Sequence, residues 1–292
     1  MTFFLGLTLV LMPVSGFAGR REIQVPIVLD ERGERTGAMA TLSLPATVPP
    51  GERLPALLVF GGFESAGQVL SLLAPVKGAP VALASFDYPF SAPRKLEFPG
   101  SLSALPEARA LYPSTVLGIL SLIAELKKRP EIDPHRIVLI GASFGAPFVL
   151  GAAAQSASAA GVVIVQGFGR VPETAEHALM RSWGRRYGAW MRPAAWILSR
   201  ALWLYLGIPS PEDSARSLGP EKRVFVIASE EDSFIPRESS ESLWEAVRSS
   251  RARVRRETMP GGHLMPGSEP LIASMIARVE AWMRSEKLLA RP

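Results

Sequence analysis

Five short, nearly unbroken aliphatic runs constrain what this chain can fold into: Ala56 to Phe60 (ALLVF), Val81 to Phe86 (VALASF), Arg136 to Ile140 (RIVLI), Gly161 to Gln166 (GVVIVQ) and Arg223 to Ala228 (RVFVIA). A strand with one wet face alternates apolar and polar residues, whereas unbroken runs suit strands covered on both faces. Helical patterns separate them. Between Ser114 and Lys128, for example, Val116, Leu117, Leu120, Ile123, Ala124 and Leu126 line one broad face. The segments after Arg237 and after Glu269 have the same character. This alternation predicts an α/β fold, a mostly parallel sheet with helices on both faces. Upstream, Ile23 to Leu29 and Ala38 to Leu44 alternate in polarity around the polar DERGERTG, which predicts an antiparallel hairpin at the start of the sheet. With the strand-like RVRRETM near the end, the strand count approaches eight.

A chain of 292 residues, 48% hydrophobic and 20% charged, has the material for one large core, so residues 19–292 are read as a single domain with an insertion. It has no cysteine, which excludes disulfides, thiolate catalysis and cysteine-ligated metal centres. Arginines gather in two places: Arg181, Arg185, Arg186 and Arg192, then Arg248, Arg251, Arg253, Arg255 and Arg256. Solvated helix faces account for such clusters, and anionic lipid or a phosphorylated substrate are the other readings. No nucleic-acid-binding motif accompanies them, and nucleic acid is not an expected partner.

The first residues carry an apolar run from Phe3 to Leu11, interrupted at Pro13 and too short to span a bilayer. Gly16, Phe17 and Ala18 form a small-x-small cleavage pattern, as in a secretory signal. The charges run the other way: no Lys or Arg precedes the run, and Arg20 and Arg21 follow it. Residues 1–18 are therefore read as a signal peptide or an N-terminal anchor, with a misread upstream start as the third reading. Cleavage would place the protein in the periplasm or outside the cell. Retention would leave it cytoplasmic or membrane-associated.

One stretch breaks the alternation. Residues 172–220 separate two strands by far more than an ordinary crossover. Within it, Trp190 to Leu206 reads as a helix with a narrow polar arc of Arg192, Ser199 and Arg200, apolar elsewhere. Two placements fit: a cap buried over the carboxyl edge of the sheet, which the insertion's need for a burial partner favours, or an interfacial helix rimmed by tryptophan and arginine.

Chemistry concentrates where RIVLI ends in Gly-Ala-Ser-Phe-Gly, residues 141–145. A serine at a tight strand-to-helix turn is held in a strained conformation, and Gly141 and Gly145 are required because a Cβ there would strike the neighbouring strand or helix. The turn would present the Ser143 hydroxyl above the sheet at a helix N-terminus. The G-x-S-x-G pattern alone is weak, and its position between a buried strand and an apolar helix gives it weight.

A serine hydroxyl needs a base to become a nucleophile, and a carboxylate to hold that base in the right tautomer. Of three histidines, His135 precedes the serine-bearing strand and reads as a surface turn residue; His177 lies in the insertion and reads as structural. His263, in the glycine-rich MPGGHLMPG, is the expected base. For the carboxylate, the segment SEEDSFIP after RVFVIA offers Glu230, Glu231 and Asp232. Asp232 is chosen because the turn after it leads into the next helix; its neighbours are read as solvated. A developing oxyanion needs two donors already in place. The Phe144 N–H directly follows the serine, and the GGFES loop after ALLVF offers Gly62 or Phe63 for the second.

These pieces together resemble the α/β-hydrolase superfamily from about Ile23 onward: GGF after the third strand, GASFG, the aspartate of SEEDSFIP and the histidine of GGHL. RPEIDPHRIVLIGASFGA looks like the dienelactone-hydrolase and prolyl-oligopeptidase branches, and MPGGHLMPGSEP is similar to a loop of acyl-CoA thioesterases. Where many members carry His-Gly in the oxyanion loop, this chain has Phe60-Gly61, which leaves Gly62 and Phe63 both open as donors. The resemblance implies eight strands, a Ser-His-Asp triad, and no metal or organic cofactor. It implies a serine hydrolase acting on a small carboxylic ester or thioester. An acyl-CoA thioesterase or acyltransferase, with Arg181, Arg185 and Arg186 receiving phosphate, is the nearest alternative. A non-catalytic ligand-binding protein of the same fold, with peripheral membrane contact, is the second.

Overall fold

The aliphatic runs form the centre of one sheet, because residues apolar on both sides of a strand need cover on both. The computed structural model describes residues 19–30, 37–48, 51–62, 65–73, 80–89, 105–265 and 267–289. The segment read as a signal or anchor, residues 1–18, lies outside them. The strands are β1 (Arg20–Ile27), β2 (Ala38–Pro45), β3 (Leu54–Phe60), β4 (Ala82–Ser85), β5 (Ile132–Ala142), β6 (Ala159–Val165), β7 (Arg223–Ser229) and β8 (Arg253–Met259). They make one eight-stranded sheet in the order β1-β2-β4-β3-β5-β6-β7-β8. The β1–β2 hairpin is antiparallel and joins β4 antiparallel, and every later pairing is parallel. The hairpin, the buried runs and the mostly parallel sheet are as the sequence predicts.

Helices α1 (Ala66–Leu72), α2 (Leu105–Lys127), α3 (Ala146–Gln155), α7 (Arg237–Arg248) and α8 (Glu269–Ser285) flank the sheet. One apolar cluster joins Leu58, Ile119, Leu139 and Val149 on one face; the other joins Val138, Phe225 and Trp282, whose ring stacks on Phe225 with centroids 5.4 Å apart. Helix α2 starts nine residues before the expected Ser114 and runs through Pro113. Burial of Leu111, Tyr112 and Val116 against the core outweighs the hydrogen bond that proline forfeits. His135 also differs from expectation, lying within β5, though it is exposed as predicted.

The stretch between β6 and β7 holds α4 (Val171–Tyr187), α5 (Arg192–Leu206) and α6 (Pro211–Arg216). Its two ends are fastened by one carboxylate. Glu212, itself buried, accepts hydrogen bonds from the Arg170 N–H at 2.7 Å, the Ser210 hydroxyl at 2.7 Å and the Ser242 hydroxyl of α7 at 2.9 Å. Burial opposes its ionisation, and these donors more than offset that, holding its pKa below the ordinary glutamate value. A carboxyl with a lowered folded-state pKa stabilises the fold above its unfolded pKa, and that contribution is lost as pH falls through the folded value. Urea unfolding should therefore show stability declining below about pH 4.5. Glu212→Gln should be less stable at neutral pH and show a shallower decline over the acid interval.

Candidate active site

Strand β5 delivers Ser143 to the carboxyl edge of the sheet, and the backbone turns there with Ser143 at φ 49°, in the left-handed region. A non-glycine residue holds that conformation only when its surroundings over-determine it. A short 3-10 turn (Ser143–Gly145) leads directly into α3. The glycines meet the expected neighbours: a Cβ on Gly145 would run into the Phe60 carbonyl of β3, and one on Gly141 would strike Val149 and Ala146 of α3.

The loops after β7 and β8 bring the other two residues to this turn. His263 Nε2 lies 2.9 Å from Ser143 Oγ, and Nδ1 lies 2.8 Å from Asp232 Oδ2. In the neutral tautomer that fits both contacts, the serine hydroxyl donates to Nε2 and the Nδ1–H donates to the carboxylate. The other carboxylate oxygen, Oδ1, accepts from the backbone N–H groups of Phe234 at 2.9 Å and Ile235 at 3.0 Å. Burial pushes the Asp232 pKa up, but the His263 hydrogen bond and the two backbone donors prevail, so it sits below the usual aspartate value. The side chains of His263 and Asp232 are only 7% and 10% exposed, so little water competes for these bonds. Such an arrangement can take a proton from a hydroxyl while a fixed anion stabilises the imidazolium that forms.

Glu230 and Glu231 are exposed, as read from the sequence. Phe144 follows the serine, its ring packed edge-on to Tyr88 and Phe148 at centroid separations of 5.6 and 5.2 Å. Gly62 follows the end of β3, whose Phe60 pairs with Gly141 beside the turn. Phe63, the other loop donor considered, lies outside the described residues. Two anchors flank this loop: the Tyr88 hydroxyl donates to the Gly61 carbonyl at 2.8 Å, and Asp87 Oδ1 accepts from the Ala66 N–H at 2.6 Å.

No protein-family model matches the chain, and no curated protein matches it in sequence. Solved structures do match in shape. An esterase of Pyrococcus furiosus superposes with a TM-score of 0.62 at 14% identity, over 92% of this chain and 91% of that one. An acetyl xylan esterase from a Paenibacillus species gives 0.58 at 15% identity, covering 89% of this chain and 88% of that one. A puromycin-hydrolyzing peptidase of Mycobacterium tuberculosis gives 0.64 at 18% identity, where 92% of this chain spans 40% of the peptidase. The chain has the α/β-hydrolase fold.

On this α/β-hydrolase fold, Gln166 and Phe234 were not anticipated beside the histidine, and Arg181 stands elsewhere than the solvated face or phosphate site read for it. Gln166, at the end of β6, is 2% exposed and has φ 50°. Its Nε2 donates to the Ser229 hydroxyl and to the Gly262 carbonyl at 2.9 Å, and its Oε1 accepts from the Leu264 N–H at 2.7 Å. One amide thus grips the backbone on both sides of His263. The only hint in the sequence is a polar residue closing an otherwise aliphatic run. Phe234 stacks on the imidazole with centroids 5.0 Å apart, and the Arg181 guanidinium carbon sits 3.4 Å from the Phe234 centroid on α4's side. Arg181 also donates to the Ser233 carbonyl at 3.1 Å, as does His177 at 3.0 Å, so this histidine joins α4 to the Asp232 loop.

Gln166→Leu strands the Gly262 carbonyl and the Leu264 N–H, each worth roughly 1–3 kcal/mol when left unpaired in a buried place. If Gln166 orients the imidazole, any activity that needs Ser143 should fall about 100-fold in kcat with little change in KM. Circular dichroism should still report a folded protein, and steady-state kinetics would check the split.

Proposed function

We propose that the chain is a serine hydrolase that cleaves a small carboxylic ester or thioester through an acyl-enzyme. The observation that carries this reading is the single imidazole within hydrogen-bond reach of both the Ser143 hydroxyl and the Asp232 carboxylate. The strained φ of Ser143 supports it, because strain of this kind is retained where it aims a reacting group. Esterases and peptidases among the structural neighbours agree with it.

In this mechanism Ser143 Oγ attacks the carbonyl carbon as its proton passes to His263 Nε2, and Asp232 stabilises the resulting imidazolium through Nδ1–H. The oxyanion is held by the Phe144 N–H and by a donor of the β3 loop, Gly62 or Phe63. Collapse expels the alcohol or thiol, which takes the proton from Nε2. Water then attacks the acyl-enzyme, giving its proton to the same nitrogen, and the acid leaves with Ser143 restored. Asp232 already accepts two backbone N–H bonds, so it orients the histidine without moving.

Between ester and acyl-CoA substrates, the placement of Arg181 favours the ester. Its guanidinium is committed to Phe234 and the Ser233 carbonyl, which removes one of the three arginines a CoA phosphate would use. A fluorophosphonate probe should label the native protein and leave Ser143→Ala unlabelled. Asp232→Asn should lower kcat on a nitrophenyl ester by about 10⁴-fold through loss of the tautomer lock. Turnover of acyl-CoA exceeding that of simple esters would reverse the substrate order. A folded native protein that does not label would overturn the enzymatic reading in favour of a ligand-binding role.

A further inference from the structure

Helix α5 faces the other way from the buried cap its composition suggests. Among its residues only Ala195 and Ser199 are buried. On the same side, Arg200 donates to Glu176 of α4 at 2.9 Å and to Glu173 at 3.2 Å. Of the narrow polar arc, Ser199 and Arg200 therefore turn inward, while Arg192 in the first turn stays exposed, 77% in its side chain. Ala194, Ile197, Leu198, Ala201, Leu204 and Tyr205, spaced three and four apart, form a stripe that points outward. Ile197 is 60% exposed and Leu204 73%; Trp196, beside Arg200 on the polar arc, is 51% exposed, and Trp190, in the turn before the helix, 74%. Rolling α5 to bury the stripe would pull Arg200 from two carboxylates, one of them, Glu176, only 14% exposed. Stranding that charge is costly, so the ion pairs hold the apolar face outward.

A contiguous apolar face of this kind marks an interaction surface, and its surroundings discriminate among partners. From His177 to Leu206 there is no Asp or Glu. Arg185, Arg186 and Arg192 are exposed at the end where α4 meets α5. Neither Arg185 nor Arg186 has an acidic partner among the described residues, and Arg192 reaches Glu176 only at 3.6 Å. In a two-fold pairing of this face, a second copy would present the same acid-free stretch, so these arginines would find no carboxylate on it. An anionic lipid surface complements both features at once: aromatic and aliphatic side chains suit the headgroup boundary, and arginine suits phosphate.

We propose that α5 and the Trp190 turn form a docking face for an anionic bilayer, with the stripe in the interface and Arg185 and Arg186 at the lipid phosphates. The proposal does not depend on Ser143 chemistry, and Ser143→Ala should dock like the native chain. Because the chain has no cysteine, a single Ile197→Cys or Leu204→Cys carries an environment-sensitive fluorophore to one known place. Lys128→Cys, past the end of α2 and 69% exposed in its side chain, is the control position.

On vesicles of phosphatidylcholine mixed with phosphatidylglycerol, emission from positions 197 and 204 should shift to the blue while that from position 128 stays unchanged. Arg185→Glu combined with Arg186→Glu, or added salt, should weaken the response by at least about tenfold. Labels that remain in water while the protein floats with the vesicles would overturn the proposal, since another segment would then be the anchor. So would failure to bind, equal binding to phosphatidylcholine alone, or a vesicle-free shift that grows with protein concentration, which would assign the face to a second copy.

Discussion

The close approach of β3 to the turn between β5 and α3 is the constraint on which the candidate site rests. With Gly145 seated on the Phe60 carbonyl and Gly141 under Val149, strand, turn and helix are packed too tightly for a side chain at either position. That packing leaves Ser143 one conformation, in a region of φ that few residues occupy. It also sets the end of β3 against the turn, with Phe60 opposite Gly141.

The opposite half of the site is built by long-range hydrogen bonding. Strands β7 and β8 run parallel from Arg223↔Arg253 to Ser229↔Met259, so the loops that follow them emerge side by side. Beyond the strands, Glu230 N–H donates to the Met259 carbonyl and Glu231 N–H to the Gly261 carbonyl, continuing the ladder up to the histidine. Gln166 then crosses from β6 to hold that segment on either side of His263. The imidazole is thus positioned by backbone bonds between the loops after β7 and β8 and by the Gln166 amide from the end of β6.

Helix α4 connects two regions of different character. One side of it supplies His177 and Arg181 to the loop carrying Asp232, and Glu173 and Glu176 on it hold α5 by ion pairs. Glu212 secures the base of this helical pair to α7. An apolar surface and a buried polar site are thereby mounted on one continuous support.

Sequence alone determined the sheet, the turn and the order Ser143, Asp232, His263. Strand burial is written in local periodicity, and the strain at Ser143 follows from glycines two residues to either side, so both are visible without a partner. Asp232 was separable from Glu230 and Glu231 because the short turn ending in Ile235 and Pro236 leads from it into the next helix; the two N–H groups that turn returns to its carboxylate appear only in the fold. Tertiary structure alone decided the role of Gln166, whose three partners lie 63 to 98 residues away. It also decided which face of α5 turns inward. A helix with one narrow polar arc can bury either side, and the carboxylates of α4 settled the matter, because turning α5 over would part Arg200 from the half-buried Glu176 and leave that carboxylate without its cation.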